Sequence, residues 1–273
     1  MRPLGNNRKA LASNSKRQMK VIVAGLPRCA TSSLQQALQS EWLGCYPTMH
    51  MTQIVPWPER SQLVIDALRE EDRDTRQKIL HKLFDGYAAI SDFPGVAFID
   101  DLMDMYPEAK IILNQRSDPE SWGKSVEEAL MFFNSWTYRI TTSLSKADRL
   151  HSQMHFAAFE LSQRRLGMGR PRNLETWRIW YDEYNKFVHD EASKRGRPVL
   201  EWVPKDGWAP ICELLSKPVP PALPFPHCND KQEMQKLKII LVARGLCYWV
   251  LLCGAVWVVI CVSASVPAAL NRS

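Results

Sequence analysis

The sequence has little with which to build a disulfide framework or a zinc site. Its seven cysteines are an odd number, are scattered over 273 residues and include no CxxC pair. Both kinds of site depend on paired or regularly spaced cysteines. We therefore predict no metal site, and a reducing environment for the main domain.

The first 18 residues lack an apolar run and lack acidic side chains. A secretory signal peptide carries an apolar run after its positive charges, so we expect none here. The segment is polar, basic and aperiodic, which predicts a flexible basic arm over residues 1–18.

The central part of the chain has no net positive charge. The chain has a net charge of +6, but residues 1–20 carry six bases and no acid, and residues 230–273 carry five bases and two acids. Residues 21–229 are thus slightly acidic. This distribution argues against a broad nucleic-acid-binding face, and we expect no nucleic-acid partner.

Short apolar runs alternate along the chain with helical patterns. Such alternation is typical of an α/β fold, a parallel sheet flanked by helices on both faces. The predicted strands are residues 19–24, 96–99, 110–113 and 198–203, and the predicted helices are residues 31–40, 61–87, 101–106, 120–135 and 176–193.

The segment VAGLPRCATSSL joins the first predicted strand to the first helix. Free backbone N–H groups and the positive end of a helix dipole form an anion site at such a junction. The hydroxyl residues Thr31, Ser32 and Ser33 add donors. A phosphate is the expected guest, although an ordinary strand-to-helix turn capped by a hydroxyl has the same composition.

Two nucleotide or phosphate chemistries fit this loop poorly. A Walker A motif would place its second glycine at Ala30 and its lysine at Thr31, which disfavours a kinase or NTPase. A cysteine-dependent phosphatase needs an arginine six residues after Cys29, where Gln35 stands. A loop with a basic residue, Arg28, followed by hydroxyl residues instead suits a sulfate donor.

A second cationic segment, NQRSDPESWGKSV, follows the predicted strand at residues 110–113. Arg116 falls just past the carboxyl end of that strand, where open parallel sheets bind ligands. Together with Ser125 it could grip a second phosphate. A surface ion pair of Arg116 with Asp118 or Glu120 is the alternative.

The three segments VAGLPRCATSSL, YPEAKIILNQRSDPESWGKSV and VPKDGWAPICELLSKPVPPALPFPHCND occur in this order, and over residues 20–230 the chain resembles the P-loop sulfotransferase family. The resemblance implies a P-loop-type fold and the donor 3′-phosphoadenosine-5′-phosphosulfate as co-substrate. Its implied site residues fall into three groups: Arg28 to Ser33, including Cys29 and Ala30, for the 5′-phosphosulfate; Arg116 and Ser125 for the 3′-phosphate; and Lys205, Gly207 and Trp208 in a loop over the nucleotide.

Two departures from the family pattern keep a second hypothesis open. Ala30 stands where a glycine is usual, and Arg116 and Ser125 are nine residues apart where eight is common. A membrane-anchored binding protein with weakened catalysis is therefore the alternative to an active enzyme.

Sulfuryl transfer also needs a cation at the leaving group and a base for the acceptor's proton. Arg28 is the candidate cation, and His50 and Asp92 are the candidate bases. His50 could instead be a packed or exposed loop residue, and Asp92 could cap the turn at Phe93-Pro94. The small-molecule acceptor is not readable, although six aromatic residues could line an apolar cleft or belong to the core: Trp57, Phe132, Phe133, Trp136, Trp177 and Trp180.

An almost wholly apolar stretch without charges follows Arg244. It is long enough to cross a bilayer as one helix, although a buried helix or strand pair has similar composition. Basic residues precede it, so we predict a tail-anchored protein with its main domain in the cytosol. The predicted organisation is a sulfotransferase-like domain at 19–229, a basic linker at 230–244, a transmembrane helix at 245–266 and a short tail at 267–273.

Overall fold

A computed structural model describes residues 18–228 and 230–270. The basic arm predicted for residues 1–18 lies outside the described residues except for its last member, and so does the end of the predicted tail.

Five parallel strands form one sheet in the described part of the chain. Their spatial order is β2-β3-β1-β4-β5, and β1 lies in the centre, where Val21 pairs with Ala89 on one side and Lys110 on the other. The strands are β1 Val21–Val23, β2 Thr48–Met49, β3 Ala89–Ile90, β4 Lys110–Asn114 and β5 Val199–Trp202.

Helices cover both faces of this sheet. Successive residues of the central strands are therefore buried on opposite sides. Ile22 and Ile111 belong to the larger apolar cluster, and Val21 and Ile112 to the smaller one. This continuous burial is the signature of a parallel sheet between helical layers. The helices are α1 Thr31–Leu38, α2 Pro58–Arg69, α3 Arg73–Phe84, α4 Ile99–Met105, α5 Pro119–Leu130, α6 Trp136–Thr141, α7 Lys146–Leu166, α8 Leu174–Lys194, α9 Ala209–Leu214 and α10 Asp230–Leu270.

The α/β class is confirmed, and one predicted strand is wrong. Residues 96–98 belong to a short 3₁₀ helix, Gly95–Phe98, and Ile99 is the first residue of α4. A short buried apolar run has the same composition in a strand and in a helix. The helix predicted for residues 61–87 is two helices, because Asp72 accepts from the Thr75 N–H at 2.8 Å and starts α3.

The C-terminal helix α10 is continuous from Asp230 to Leu270. The predicted basic linker forms its first part, which is docked on the domain: Lys238 donates to the Glu128 carbonyl oxygen and Arg244 pairs with Asp148. The stretch Met234–Ser263 is long and apolar enough to cross a membrane. Its uncharged part projects from the domain with exposed side chains, so it is not a buried core helix.

Candidate active site

The candidate site residues converge because each follows the carboxyl end of a strand. Arg28 follows β1, His50 follows β2 directly, Asp92 lies two residues after β3, and Arg116 lies two residues after β4. Parallel strands present these ends at one edge of the sheet, and the strand order reverses between β1 and β4. Such a reversal is where open α/β sheets bind ligands.

The turn between β1 and α1 is held by side chains from β4 and α5. The Gly25 N–H donates to Asn114 Oδ1 at 2.9 Å, and Asn114 Nδ2 donates to the Cys29 carbonyl oxygen at 2.6 Å. Trp122 Nε1 donates to the Pro27 carbonyl oxygen at 2.9 Å. The buried Asn114 amide thus bonds to both ends of the turn, and the Trp122 indole bonds to its middle.

Arg28 links this turn to helix α5. Its backbone has a positive φ of 74°, and its Nε donates to Ser125 Oγ at 3.3 Å. The first residues of α1, Thr31 and Ser32, line the same cavity as Arg28. A guanidinium, hydroxyl groups and a helix N-terminus are therefore adjacent, a combination suited to an anion.

The two candidate bases, His50 and Asp92, lie side by side and are both buried. His50 Nε2 is 3.4 Å from Asp92 Oδ2 and 3.4 Å from Thr31 Oγ1. The Thr52 N–H donates to His50 Nδ1, which places the proton of the neutral ring on Nε2, facing Asp92. Neither side chain is a solvated loop residue, and the two form one unit beside the start of α1.

Arg116 is tied to its own segment and to helix α8. Its backbone N–H donates to the Tyr181 hydroxyl at 3.0 Å, and its Nη1 donates to the Ser121 carbonyl oxygen at 2.9 Å. The two acids of the alternative explanation have other partners. Asp118 caps α5 at the Ser121 N–H, and Glu120 pairs with Lys124 at 2.6 Å.

Within the described residues, Arg116 therefore has no ion pair with Asp118 or Glu120. The two acids proposed as its surface partners are therefore excluded. The Arg116 charge lies close enough to the β1–α1 turn to act on the Cys29 thiol, and Arg116 is absent from the lining of the cavity described next.

A cavity of about 540 Å³ opens beside Arg28 and the His50–Asp92 pair. This volume is in the usual range for small-molecule sites. Three of the aromatic residues considered from the sequence line it, namely Phe133, Trp177 and Trp180. Helix α10 also contributes wall residues, among them Leu241.

The cavity is also lined by a pair of histidines one turn apart on α7, His151 and His155. His151 Nε2 is 3.2 Å from His155 Nε2, and His151 Nδ1 is 3.1 Å from the Tyr138 hydroxyl. Burial lowers the pKa of His155 to about 4, and burial with the nearby His155 lowers the pKa of His151 well below its usual value. Both rings are therefore neutral at physiological pH.

Comparison with known proteins identifies the fold around this site. A family model described as "Sulfotransferase domain" matches residues 20–234. This range contains the β1–α1 turn, the His50–Asp92 pair and Arg116. The chain belongs to this sulfotransferase-domain family.

A relative from Aspergillus versicolor supports the same conclusion. It is named "Ava biosynthesis cluster protein M" and is 36% identical to this chain over 221 residues. The match covers 77% of this chain and 80% of that protein.

The phosphatase alternative finds no support in the environment of Cys29. The thiol is buried, and burial raises its pKa to about 12 despite the nearby positive charge of Arg116. A nucleophilic cysteine needs a lowered pKa and access to substrate. In this member of the sulfotransferase-domain family, Cys29 stabilises the turn through its backbone carbonyl oxygen, which accepts from Asn114 Nδ2.

Several residues implied by the resemblance lie away from the cavity. Trp208 is buried in the smaller apolar cluster, and its Nε1 donates to the Leu223 carbonyl oxygen at 2.9 Å. Lys205 is exposed and Gly207 has a positive φ of 62° in the segment after β5. Ser33 Oγ accepts from the Cys228 N–H at 3.1 Å. The nucleotide-binding roles of these four residues stay predictions, as do those of the other residues that the resemblance implies.

Ala30 occupies a left-handed backbone conformation, with φ 59° and ψ 31°. Its methyl group packs against the smaller apolar cluster, and Ala30 is absent from the cavity lining. The departure from the usual glycine therefore costs conformational energy and does not obstruct the anion site from the cavity side.

Ala30→Gly is expected to stabilise the fold slightly and to leave turnover nearly unchanged. Relief of the left-handed conformation, worth about 1–2 kcal/mol, is partly offset by about 0.4–1 kcal/mol of extra chain entropy in the unfolded state. Denaturant unfolding and sulfate-transfer assays measure the two effects. A rise in turnover of about tenfold or more would contradict the expectation and favour the weakened binding protein.

Proposed function

We propose that the protein is a membrane-anchored sulfotransferase that uses 3′-phosphoadenosine-5′-phosphosulfate to sulfate a hydroxyl or amine of an apolar small molecule. The observation that carries the proposal is the arrangement at the carboxyl edge of the sheet. A cationic turn suited to an anion and a buried His50–Asp92 pair line the same apolar cavity. Membership of the sulfotransferase-domain family supports the reaction class.

The residues at the β1–α1 turn and their neighbours fit a donor that has two anionic ends. Arg28, Thr31 and Ser32 face the cavity and would bind the phosphosulfate end, while Arg116 and Ser125 would bind the 3′-phosphate. Arg28 contacts Ser125 directly, so the two anionic ends of the donor would share one continuous set of donors.

The donor supplies a sulfuryl group attached to a phosphate leaving group. In transfer, the acceptor oxygen or nitrogen forms a bond to sulfur as the bond from sulfur to the phosphate oxygen breaks. Arg28 would neutralise the charge that develops on the departing phosphate. The acceptor's proton would pass to the His50–Asp92 pair, in which the imidazole N–H faces the carboxylate and stabilises its charge until the proton arrives.

The cavity walls set the chemistry of the acceptor. Most lining side chains are apolar or aromatic, and Trp122 and Trp180 stack with their rings 6.4 Å apart. An apolar molecule would bind there and exclude water from the reacting atoms. The name of the Aspergillus versicolor relative, a biosynthesis cluster protein, fits a small-molecule acceptor.

Helix α10 would place this reaction at a membrane surface. The basic residues Lys236, Lys238 and Arg244 closely precede its uncharged stretch. Basic residues flank membrane spans on the cytosolic side, which supports insertion with the sulfotransferase domain in the cytosol.

Arg116→Ala tests the donor assignment. The variant is expected to bind adenosine 3′,5′-bisphosphate about 30- to 1,000-fold more weakly, because the 3′-phosphate loses its guanidinium. Affinity for adenosine 5′-monophosphate should change by less than about threefold. Calorimetry on the detergent-solubilised chain measures both nucleotides.

The matched control is Arg178→Ala, which breaks an exposed ion pair with Asp182 and should leave both affinities unchanged. Equal bisphosphate affinities for Arg116→Ala and wild type would remove Arg116 from the site. Magnesium-dependent binding of ATP without binding of the bisphosphate would instead indicate a kinase or NTPase. Bisphosphate binding with no transfer to any phenol, alcohol or amine would indicate the binding protein.

A further inference from the structure

A second, smaller pocket lies where helix α10 crosses the β1–α1 turn and helix α5. Arg28 and Ser125 line it from the domain, and Met234, Gln235 and Lys238 line it from α10. The C-terminal helix thus reaches the anion-binding residues themselves as well as the wall of the large cavity.

Lys238 brings a second positive charge to this pocket. Its ammonium group donates to the Glu128 carbonyl oxygen and lies 5.5 Å from the centre of the Phe132 ring. These contacts fix the lysine on the domain side of α10, on the same pocket as the Arg28 guanidinium. Glu128 also lines the pocket, so its two cations face one carboxylate and a net positive charge remains beside the Ser125 hydroxyl. An anion would neutralise that remaining charge.

We propose that Lys238 is a ligand of the donor's 3′-phosphate, together with Ser125 and Arg116. The inference rests on the proposed function and adds a residue that lies outside the family match at 20–234. The helix that would cross the membrane therefore supplies part of the nucleotide site. Since linkage is reciprocal, nucleotide binding would also stabilise the docked position of α10.

The test compares Lys238→Met with wild type in the full chain, in a detergent without phosphate. Adenosine 3′,5′-bisphosphate should bind about 10- to 100-fold more weakly to the variant, as for loss of one charge-assisted hydrogen bond. Adenosine 5′-monophosphate should bind with an affinity within about threefold of wild type. Lys238→Arg should restore most of the bisphosphate affinity because it keeps the charge.

Lys236→Met is the matched control, since Lys236 has the same charge on the same helix and is exposed. It should leave both affinities unchanged. Unfolding of each variant without nucleotide shows whether a weakened affinity reflects a damaged fold, and Lys238→Arg then decides between charge and packing.

Two results would overturn the inference. The first is unchanged bisphosphate affinity in Lys238→Met, and the second is an equal loss for both nucleotides. If wild type binds no bisphosphate, the proposed function itself fails; if it binds and Lys238 has no influence, only this inference fails.

Discussion

Asp92→Asn is expected to lower sulfate transfer by about 10²- to 10⁴-fold, the usual contribution of a positioned acid–base group. The amide cannot take up the acceptor's proton, and it presents an N–H or a weak acceptor to His50 in place of a carboxylate. Donor affinity should stay within about threefold of wild type, because the Arg28 and Arg116 sites are intact. Turnover at saturating donor, combined with bisphosphate titration, separates the two effects.

His50→Gln should produce a loss of similar size, and the double variant should be little worse than either single variant. Residues that act as one unit are strongly non-additive. The matched control is the exposed pair His81 and Asp85, whose Nδ1 and Oδ1 atoms are 3.0 Å apart. Changing His81 to Gln or Asp85 to Asn should leave turnover unchanged. Losses that multiply in the double variant would show that His50 and Asp92 act separately.

Gly25→Ala is expected to destabilise the fold by about 3 kcal/mol or more, a large effect for one methyl group. A Cβ at this position would lie 1.9 Å from the Asn114 backbone oxygen and 2.3 Å from Asn114 Oδ1. Neither atom can retreat, since the first belongs to the central strand β4 and the second accepts from the Gly25 N–H. Denaturant unfolding measures the loss.

Gly167→Ala provides a control for the general cost of replacing glycine. Gly167 ends α7 with a positive φ of 67°, and an added Cβ would have open space around it. Gly167→Ala should lower the free energy of unfolding by about 1 kcal/mol, because only the backbone conformation disfavours alanine there. Similar losses at Gly25 and Gly167 would contradict the argument that close approach of β4 requires a glycine at Gly25.

The sequence was sufficient to predict three of the five strands, β1, β4 and β5, because each lies in a short run rich in apolar and β-branched residues. The turn after β1 and the segment after β4 carry recognisable residues, and their roles in donor binding stay predictions. Strands β2 and β3 were not predicted, because each has two residues and no periodicity can be read from two residues.

The missed strands also explain why His50 and Asp92, the proposed catalytic pair, could not be predicted to lie together. His50 and Asp92 follow β2 and β3, which are neighbours in the sheet. Without those strands, the two residues were separate candidates 42 positions apart in the sequence. Lys238 was missed for another reason: it lay in a basic stretch that resembled a linker, and only the docking of α10 brings it to Ser125.

Because α10 is one continuous helix, no flexible linker separates the domain of the proposed enzyme from the uncharged stretch. Lys238 stands seven residues before Gly245, where the uncharged stretch begins, and seven residues of helix rise about 10 Å. Trp249 still donates to the Ile140 carbonyl oxygen at 2.9 Å, so the domain rests on the base of the helix. In a bilayer, the domain could neither swing outward nor reach a distant partner. Leu241 of the same helix lines the cavity four residues before Gly245, so the proposed acceptor site would lie only about 6 Å of helix from the uncharged stretch.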